Sequence, residues 1–361
     1  MKIKLYAVCL SMLMLCFLGG CSQEVSEEVS EEVSDAQEID ELAQIYDKIN
    51  NMQYASALES LETIEIEKTE QEYYRMLGIC YIGLARYEEA VEVLEYALSI
   101  NPGYVTEVDF DTNYYLAVAY TKTGYYESAK AVYEAITALD AKQVEAYYLN
   151  GVTLLYMGRV DESLLQFDIA ADLEPQNYDR LVEIYQVLDL FGYTSYGEAY
   201  LLEAVDNKVQ DDDLNRGKML YYLKDYQNAV LALEEVGDTK DIQESSEVGL
   251  YLGMAYEAMG DLNYAASVYE SAIALNATAA LYNQLGLCQL QRESYEAALE
   301  AFRLGLACDN SLYNQSLRYN EIVTLEYMSE YEEAKLLLEE YLQDYQSDDR
   351  AAREYEFLQT R

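Results

Sequence analysis

Beyond residue 40, small residues and large apolar residues alternate in a pattern that returns about every 34 positions. In residues 73–102, 147–175 and 249–277, a small residue is followed 12 positions later by a second small residue. A large apolar residue follows the second small residue after 4 positions, and an alanine follows it after 7 positions. Steps of three and four positions place side chains on one face of a helix. The pattern therefore predicts pairs of amphipathic helices joined by short turns.

The small residues and the turn residues agree with this prediction. Two helices approach closely only where neither carries a bulky side chain, so each pair of small residues predicts a contact point. Gly124, Gly158 and Gly260 lie where a left-handed residue would end the first helix of a pair. Pro102 and Pro175 lie 12 positions after the second small residue, where a helix should stop. The pairs with the 12-residue spacing are Gly78/Ala90, Ala117/Ala129, Gly151/Ser163, Gly217/Ala229, Gly253/Ala265 and Gly286/Ala298.

A 34-residue helix–turn–helix unit of this kind resembles the tetratricopeptide repeat family. The resemblance implies an all-α fold, a right-handed superhelical solenoid of about eight to nine hairpins in which stacked neighbours supply the core. Residues 348–359 are expected to cap its open end, and residues 42–64 match only the second helix of a unit. Clear units are expected at 71–104, 110–143, 144–177, 210–243, 246–278 and 279–312, with weaker units at 178–209 and 315–348.

The weaker matches have identifiable departures from the pattern. In the unit at 178–209, either Gly197 or Ala199 is the second small residue. In the unit at 315–348, Ile322 replaces the first small residue although Ala334 is in place.

The first residues predict the location of the protein. Lys2 and Lys4 precede an apolar run from Leu5 to Leu18, which is too short to span a bilayer and is typical of an export signal. The run ends in Leu-Gly-Gly before Cys21, which resembles the lipobox of bacterial lipoproteins. The resemblance implies that residues 1–20 are a lipoprotein signal peptide and that Cys21 carries lipid. The alternative is a secretory signal followed by a chance cysteine.

A repeated acidic tetrapeptide follows Cys21 and predicts a solvated tether. Such a segment repels itself and extends. The predicted organisation is therefore a signal peptide at 1–20, a lipidated cysteine and acidic tether at 21–41, and a repeat solenoid with a C-terminal capping helix at 42–361.

Composition narrows the possible functions. The formal net charge is −44, from 67 acids and 23 bases, which argues against nucleic acid as a partner. The chain has no histidine, so Ser-His-Asp and Cys-His catalysis are excluded. We expect no enzyme activity, no metal and no cofactor, and we expect the membrane to be contacted only through the lipid on Cys21.

In the tetratricopeptide family, the first helix of each hairpin lines a concave groove that binds a partner. The corresponding positions here are rich in tyrosine, which suits recognition of a peptide or helix. The alternative is that these tyrosines pack against the next hairpin. The candidate partner-binding residues are Arg75, Ile79, Tyr114, Val118, Lys122, Tyr148, Val152, Tyr156, Lys218, Tyr221, Tyr222, Tyr251, Met254, Asn283, Leu287, Tyr319 and Val323.

Acids recur at the second position of the units, where they complement a helix dipole. A row of carboxylates that binds calcium or a basic peptide is the alternative. These acids are Glu72, Asp111, Glu145, Asp179, Asp211 and Glu247.

The sequence as a whole favours a membrane-anchored extracytoplasmic scaffold that binds a protein or peptide in its groove. The alternative is a structural spacer, or a self-associating cell-envelope protein, without a specific groove ligand.

Overall fold

The chain folds into helices joined by short turns. A computed structural model describes residues 34–64, 71–100, 106–207, 209, 212–236, 242–308, 311–346 and 348–360. Within these ranges all regular structure is helical, with 19 α-helices, one short 3-10 helix at Ser311–Tyr313 and no strands. The all-α class predicted from the sequence is confirmed.

Consecutive helices pair into nine antiparallel hairpins within the described ranges, followed by one terminal helix. The first and second helices of the hairpins are α1 (Ser34–Asn50) and α2 (Tyr54–Thr63), α3 (Gln71–Gly83) and α4 (Tyr87–Ser99), α5 (Glu107–Thr123) and α6 (Tyr126–Leu139), α7 (Val144–Tyr156) and α8 (Val160–Leu173), α9 (Tyr178–Leu190) and α10 (Thr194–Asn207), α11 (Asp213–Tyr222) and α12 (Tyr226–Glu235), α13 (Ile242–Ala258) and α14 (Leu262–Leu275), α15 (Ala279–Gln291) and α16 (Tyr295–Leu306), and α17 (Asn314–Tyr327) and α18 (Tyr331–Asp344), with α19 (Asp349–Leu358) last.

The chain forms two compact units. Unit 1 comprises Met1–Glu174 and Asp344–Ser347, and unit 2 comprises Pro175–Gln343 and Asp348–Arg361. In each unit, hairpins stack on their sequence neighbours in the manner of an α–α solenoid, and the core lies between successive hairpins. For example, Tyr269 of α14 and Cys288 of α15 belong to one buried cluster.

The small residues permit close helix packing, as the sequence predicts. The Ser163 Oγ of α8 donates a hydrogen bond of 2.8 Å to the Gly151 carbonyl of α7, so the two small positions face each other. The first small residue also faces a large residue 16 positions later, which is the large residue of the sequence pattern four positions after the second small residue. A Cβ on the glycine would overlap this side chain. The pairs are Gly78/Leu94, Gly151/Phe167, Gly217/Leu233, Gly253/Tyr269 and Gly286/Phe302.

The hairpin of α9 and α10 reverses this arrangement of large and small residues. Tyr185 occupies the first small position, and Gly197 lies 12 positions later on α10. A Cβ on Gly197 would lie 2.9 Å from the Tyr185 Cα atom. Glycine on the second helix thus makes room for tyrosine on the first, which identifies Gly197, rather than Ala199, as the close-packed residue.

A left-handed residue ends the first helix of every described hairpin. Gly124, Gly158, Gly192 and Gly260 have φ between 71° and 87°. The other five hairpins use residues with a side chain at the equivalent position, namely Met52, Ala85, Lys224, Glu293 and Ser329, with φ between 53° and 65°. The next amide then donates to a carbonyl five residues earlier, as from Asp225 N to Leu220 O at 2.9 Å. This geometry closes a helix with a left-handed residue whether or not glycine is present.

The predicted tether and first unit differ in detail from the structure. Helix α1 begins at Ser34 and includes residues 34–41, which the sequence assigned to the tether. It forms a full hairpin with α2, where Tyr54, Ala57 and Leu61 are buried as the unit pattern predicts. The predicted signal peptide at 1–20, Cys21 and Pro102 lie outside the described residues.

Candidate partner-binding face

The first helices carry all 17 candidate residues, which together we call the first-helix face. Their side chains divide into two groups by burial. Half-buried residues are Tyr114, Val118, Lys122, Tyr156, Tyr221, Tyr222, Tyr251, Met254, Leu287, Tyr319 and Val323. The buried residues are Arg75, Ile79, Tyr148, Val152, Lys218 and Asn283.

In unit 1, the buried Arg75 joins three successive first helices. Its guanidinium lies 2.6 Å from a Glu72 carboxylate oxygen of α3 and 3.0 Å from an Asp111 carboxylate oxygen of α5. It also donates to the Tyr46 hydroxyl of α1 at 2.5 Å. Charged hydrogen bonds of this kind are stronger than neutral ones. Arg75 therefore fastens three hairpins to one another.

In unit 2, Lys218 has the same role. Its ammonium group lies 2.6 Å from an Asp179 carboxylate oxygen of α9 and also donates to the Glu247 carboxylate of α13. Lys218 itself is on α11 and is only 3% exposed. The ammonium lies 5.5 Å from the ring centre of Tyr251, which adds a cation–π contact. One lysine thus links the first helices of three consecutive hairpins.

The electrostatics of the two buried cations favour their charged forms. Burial by itself lowers the pKa of Lys218, but Asp179 and Glu247 raise it above the ordinary lysine value. Burial likewise opposes the charge of Arg75, and Glu72 and Asp111 outweigh it, so the pKa of Arg75 is raised. The ion pairs therefore persist throughout the neutral pH range.

These contacts explain four of the recurring second-position acids. Glu72 and Asp111 pair with Arg75, and Asp179 and Glu247 pair with Lys218. The sequence suggested that they complement helix dipoles. The structure adds that they neutralise buried cations, which lie on a neighbouring hairpin for Asp111, Asp179 and Glu247 and on the same helix for Glu72. Sequence separations of 36 and 39 residues, about one repeat, are the signal that could have revealed the pairs of Arg75 with Asp111 and of Lys218 with Asp179. Asp211 lies outside the described residues.

Tyrosines form a continuous cluster beside Lys218 in unit 2. The Tyr222 ring centre lies 5.8 Å from that of Tyr185, 5.3 Å from that of Tyr221 and 6.1 Å from that of Tyr251. Gln186 of α9 donates a hydrogen bond of 2.9 Å to the Tyr222 hydroxyl. Burial raises the pKa of the Tyr185 hydroxyl to about 12, so this tyrosine stays neutral. The cluster presents half-buried rings on first helices that the ion pairs of Lys218 hold together.

In unit 1, the candidate tyrosines contact other side chains of the fold. Tyr148 is 1% exposed, and its ring centre lies 5.8 Å from that of Phe167 in the same hairpin. Tyr156 stacks on Tyr126 at 5.5 Å. Tyr114 donates a 3.1 Å hydrogen bond to Gln143, which precedes α7. In unit 1, Tyr148 therefore packs within its own hairpin, whereas Tyr114 and Tyr156 contact a neighbouring hairpin and are half-buried like Tyr221, Tyr222 and Tyr251 of unit 2.

The described residues also bear on two other kinds of site. Within them, no group of three or more His, Cys, Asp or Glu side chains is arranged to hold a metal ion. None of the helices described is sufficiently long and apolar to cross a bilayer.

Comparison with curated proteins finds distant relatives. BBSome complex member BBS4 of Bos taurus is 26% identical over 196 residues, which cover 51% of this chain and 37% of that protein. Anaphase-promoting complex subunit 3 of Schizosaccharomyces pombe is 23% identical over 221 residues, which cover 56% of this chain and 30% of that protein. The match thus spans about a third of the length of these relatives.

Solved structures with similar helix arrangements are also found. MamA from Desulfovibrio magneticus RS-1 matches with a TM-score of 0.40 and 19% identity, covering 49% of this chain and 97% of that one. The C-terminal part of a TPR repeat-containing protein from Cytophaga hutchinsonii matches with a TM-score of 0.41 and 17% identity, covering 65% of this chain and 95% of that one.

Family models match each of the two units. One tetratricopeptide repeat model matches residues 81–151 of unit 1, and another matches residues 250–312 of unit 2. The matched ranges include the small-residue pairs Ala117/Ala129, Gly253/Ala265 and Gly286/Ala298. Residues 81–151 of unit 1 and residues 250–312 of unit 2 are therefore similar to tetratricopeptide repeats.

Proposed function

We propose that this protein is a membrane-anchored, extracytoplasmic scaffold whose first-helix face binds a segment of a partner protein. Tetratricopeptide repeat proteins generally mediate protein–protein interactions, which supports the binding part of the proposal. The resemblance of residues 18–21 to a lipobox supports the anchor. A cysteine that carries more than one acyl chain would hold the protein stably at a membrane.

The observation that carries the proposal is the tyrosine cluster of unit 2. Tyr221, Tyr222 and Tyr251 lie on adjacent first helices and are half-buried, so part of each ring reaches the surface, and Lys218 fixes those helices to one another. Tyrosine offers a large contact area with a polar end and loses little conformational entropy on binding. A rigid support reduces the ordering cost of binding further. The cluster therefore has the properties of a contact surface for a peptide or helix.

Affinity capture with the full chain from a membrane extract of the host tests the binding proposal. The test variant is Tyr222→Ala, and its matched control is Tyr196→Ala on the second helix α10, where the side chain is 47% exposed. We expect the parent and Tyr196→Ala to retain the same protein and Tyr222→Ala to lose it. Circular dichroism verifies that both variants are folded. If Tyr222→Ala does not fold, Tyr222→Leu replaces it in the test, because leucine retains apolar bulk at this position.

The alternative of a spacer predicts a different outcome. If Tyr222→Ala and Tyr222→Leu capture the same proteins as the parent, the cluster serves only packing between hairpins. Loss of all captured proteins in high salt would attribute capture to charge alone.

The anchor is tested separately by labelling cells with an alkyne fatty acid. We expect label on the parent chain and recovery of that chain with membranes. Cys21→Ala should abolish both, and Cys308→Ala is the matched control because this thiol is half-exposed. Label that persists in Cys21→Ala would overturn the anchor and leave the binding proposal untouched.

A further inference from the structure

The C-terminal helix α19 packs on the first-helix face of the last hairpin. Ala351 is completely buried and Leu358 is 2% exposed, so these two apolar residues of α19 face the protein, whereas Phe357 is 42% exposed. The Arg350 guanidinium lies 5.0 Å from the ring centre of Tyr319 on α17. Tyr355 donates a 2.6 Å hydrogen bond to Glu339 of α18. Helix α19 thus covers Tyr319, a candidate partner-binding residue.

Two carboxyl groups meet at this contact. Glu326 of α17 has an enclosed carboxyl oxygen that accepts no hydrogen bond from any residue the structure describes. Its hydrogen-bonding neighbour is the carboxyl group of Glu354 on α19. Two ionised carboxylates only accept hydrogen bonds and repel each other, whereas one proton between them makes a strong bond. The contact therefore requires that the pair hold a proton.

The other charged and titratable groups at this contact keep their charge states near neutral pH. Burial raises the pKa of Tyr319, and a hydrogen bond to Glu339 raises the pKa of Tyr355, so both hydroxyls stay protonated. Burial opposes ionisation of Asp348, but hydrogen bonds from Tyr341 and the Ala351 amide outweigh it and lower the pKa of Asp348. Glu326 is thus left as the group of this contact that titrates near neutrality.

We propose that α19 is a proton-dependent cap, held on α17 by a proton shared between Glu326 and Glu354 and released when that proton is lost. Release uncovers Tyr319 and extends the first-helix face at the C-terminal end of unit 2. The capping role of residues 348–359 is predicted from the sequence, and the dependence on a proton is the new element.

The direction of the pH dependence follows from the burial of Glu326. Burial, and then the neighbouring Glu354, raise the pKa of Glu326 to about 8. A carboxyl whose pKa is higher in the docked state favours docking at low pH. The contribution of the bound proton to docking of α19 is complete below the ordinary glutamate pKa and is lost as the pH rises through about 8. Docking should therefore weaken in mildly alkaline solution.

Hydrogen exchange of the full chain tests the cap. The readout is the protection factor of the α19 amides, which divides out the intrinsic pH dependence of exchange. We expect protection of α19 to fall by about ten-fold or more between about pH 6 and about pH 9.5, while α17 remains protected. In Glu354→Gln, an amide replaces the shared proton as donor, so α19 should stay protected across this range.

Two further variants make the test decisive. Glu356→Gln removes the same charge from an exposed position of α19 and should keep the pH dependence of the parent. Glu326→Gln places the amide donor on α17 instead of α19. It serves as the test variant if α19 does not dock in Glu354→Gln. The proposal is overturned if α19 protection in the parent is independent of pH, or if Glu326→Gln loses protection with rising pH as the parent does.

Discussion

At the residue scale, the most informative feature is a pair of buried cations in a chain of net charge −44. Arg75 and Lys218 each lie between two carboxylates from two different helices. Removing a buried cation would leave two acids close together without a counter-charge. Each cation therefore stabilises the stacking of hairpins as well as its own position.

Lys218→Met should destabilise unit 2 at neutral pH. Methionine fills the space, but Asp179 and Glu247 then repel each other, and we expect a loss of about 1–3 kcal/mol. The midpoint of urea unfolding, followed by circular dichroism, measures the change. Lys130→Met is the matched control, because its pair with Glu134 lies within one helix at the surface and is worth less than about 0.5 kcal/mol. Equal effects of both substitutions would contradict the bridging role of Lys218.

Glu257 is a second unusual carboxyl group in unit 2. It lies near the end of α13, where the Tyr269 hydroxyl donates to it at 2.5 Å and the Gln291 amide at 3.1 Å. Burial raises the pKa of Glu257 to about 7, against the opposing effect of the hydrogen bond from Tyr269. The folded state thus binds a proton here more tightly than the unfolded chain does.

The stability of unit 2 should consequently depend on pH through Glu257. The contribution is complete below the ordinary glutamate pKa of 4.5 and is lost as the pH rises through about 7. We expect the free energy of unfolding to fall by about 2–3 kcal/mol between about pH 5 and about pH 8, and Glu257→Gln to reduce that slope. Urea unfolding at several pH values measures the slope. An unchanged slope in the variant would show that Glu257 is not the responsible group.

At the element scale, the hairpin turns show how little the fold depends on glycine. All nine described turns contain a left-handed residue at the equivalent position, but only four of them are glycine. A side chain in the left-handed region costs about 1–2 kcal/mol, and packing of the two helices offsets this cost. The turn conformation therefore follows from the hairpin more than from the turn residue.

Glu293→Gly should stabilise the hairpin of α15 and α16. Its φ of 60° is unfavourable for glutamate and free of strain for glycine. After subtracting the extra flexibility of glycine in the unfolded chain, we expect a gain of about 0.5–1 kcal/mol in urea unfolding. Gly260→Ala is the reverse experiment at the equivalent position, with φ of 87°, and should destabilise by about 1 kcal/mol. A loss of stability in Glu293→Gly would refute the argument from strain.

Element prediction from the sequence succeeded where the small and large residues follow the repeat. The hairpin of α9 and α10 was uncertain because Tyr185 and Gly197 exchange the usual sizes, so the pattern of small residues fails although the volume they share is conserved. The first hairpin was incomplete because α1 has buried Ile45 and Ile49 but no small residue at the expected position. A volume shared by two helices is visible only when both helices are placed.

At the scale of the whole molecule, the acidic surface is the dominant electrostatic feature. With 67 acids and 23 bases, most carboxylates of the chain have no cation available to them. Their repulsion favours the more expanded unfolded chain. The two bridging cations neutralise only a few acids of the first-helix face.

Salt should therefore stabilise the protein. Raising NaCl from about 10 mM to about 500 mM shortens the Debye length from about 30 Å to about 4 Å and screens the repulsion. We expect the melting temperature to rise by a few degrees, and choline chloride, whose cation is bulky, to have the same effect as NaCl. A fall in the melting temperature would mean that screening of the Arg75 and Lys218 ion pairs outweighs screening of the general repulsion.

The sequence predicts the candidate site in outline, and the partner-binding role of its residues stays a prediction. The repeat frame identified the first-helix positions, but it did not separate half-exposed tyrosines such as Tyr222 from enclosed ones such as Tyr148. It also did not show that the Lys218 ammonium forms ion pairs with carboxylates of its own chain. Burial depends on which side chains the neighbouring hairpin contributes, and the frame of a single repeat does not contain that information.

The sequence by itself determined the helical class, the repeat length and the positions that face a neighbouring hairpin, because these follow from the periodicity of side chains along a helix. Tertiary structure decided how those positions are used. Contacts between residues of different helices turned second-position acids into ion-pair partners, placed Gly197 against Tyr185 and brought Glu326 against Glu354. Such contacts depend on how helices stack in space, and side-chain periodicity along one helix specifies only the face that takes part.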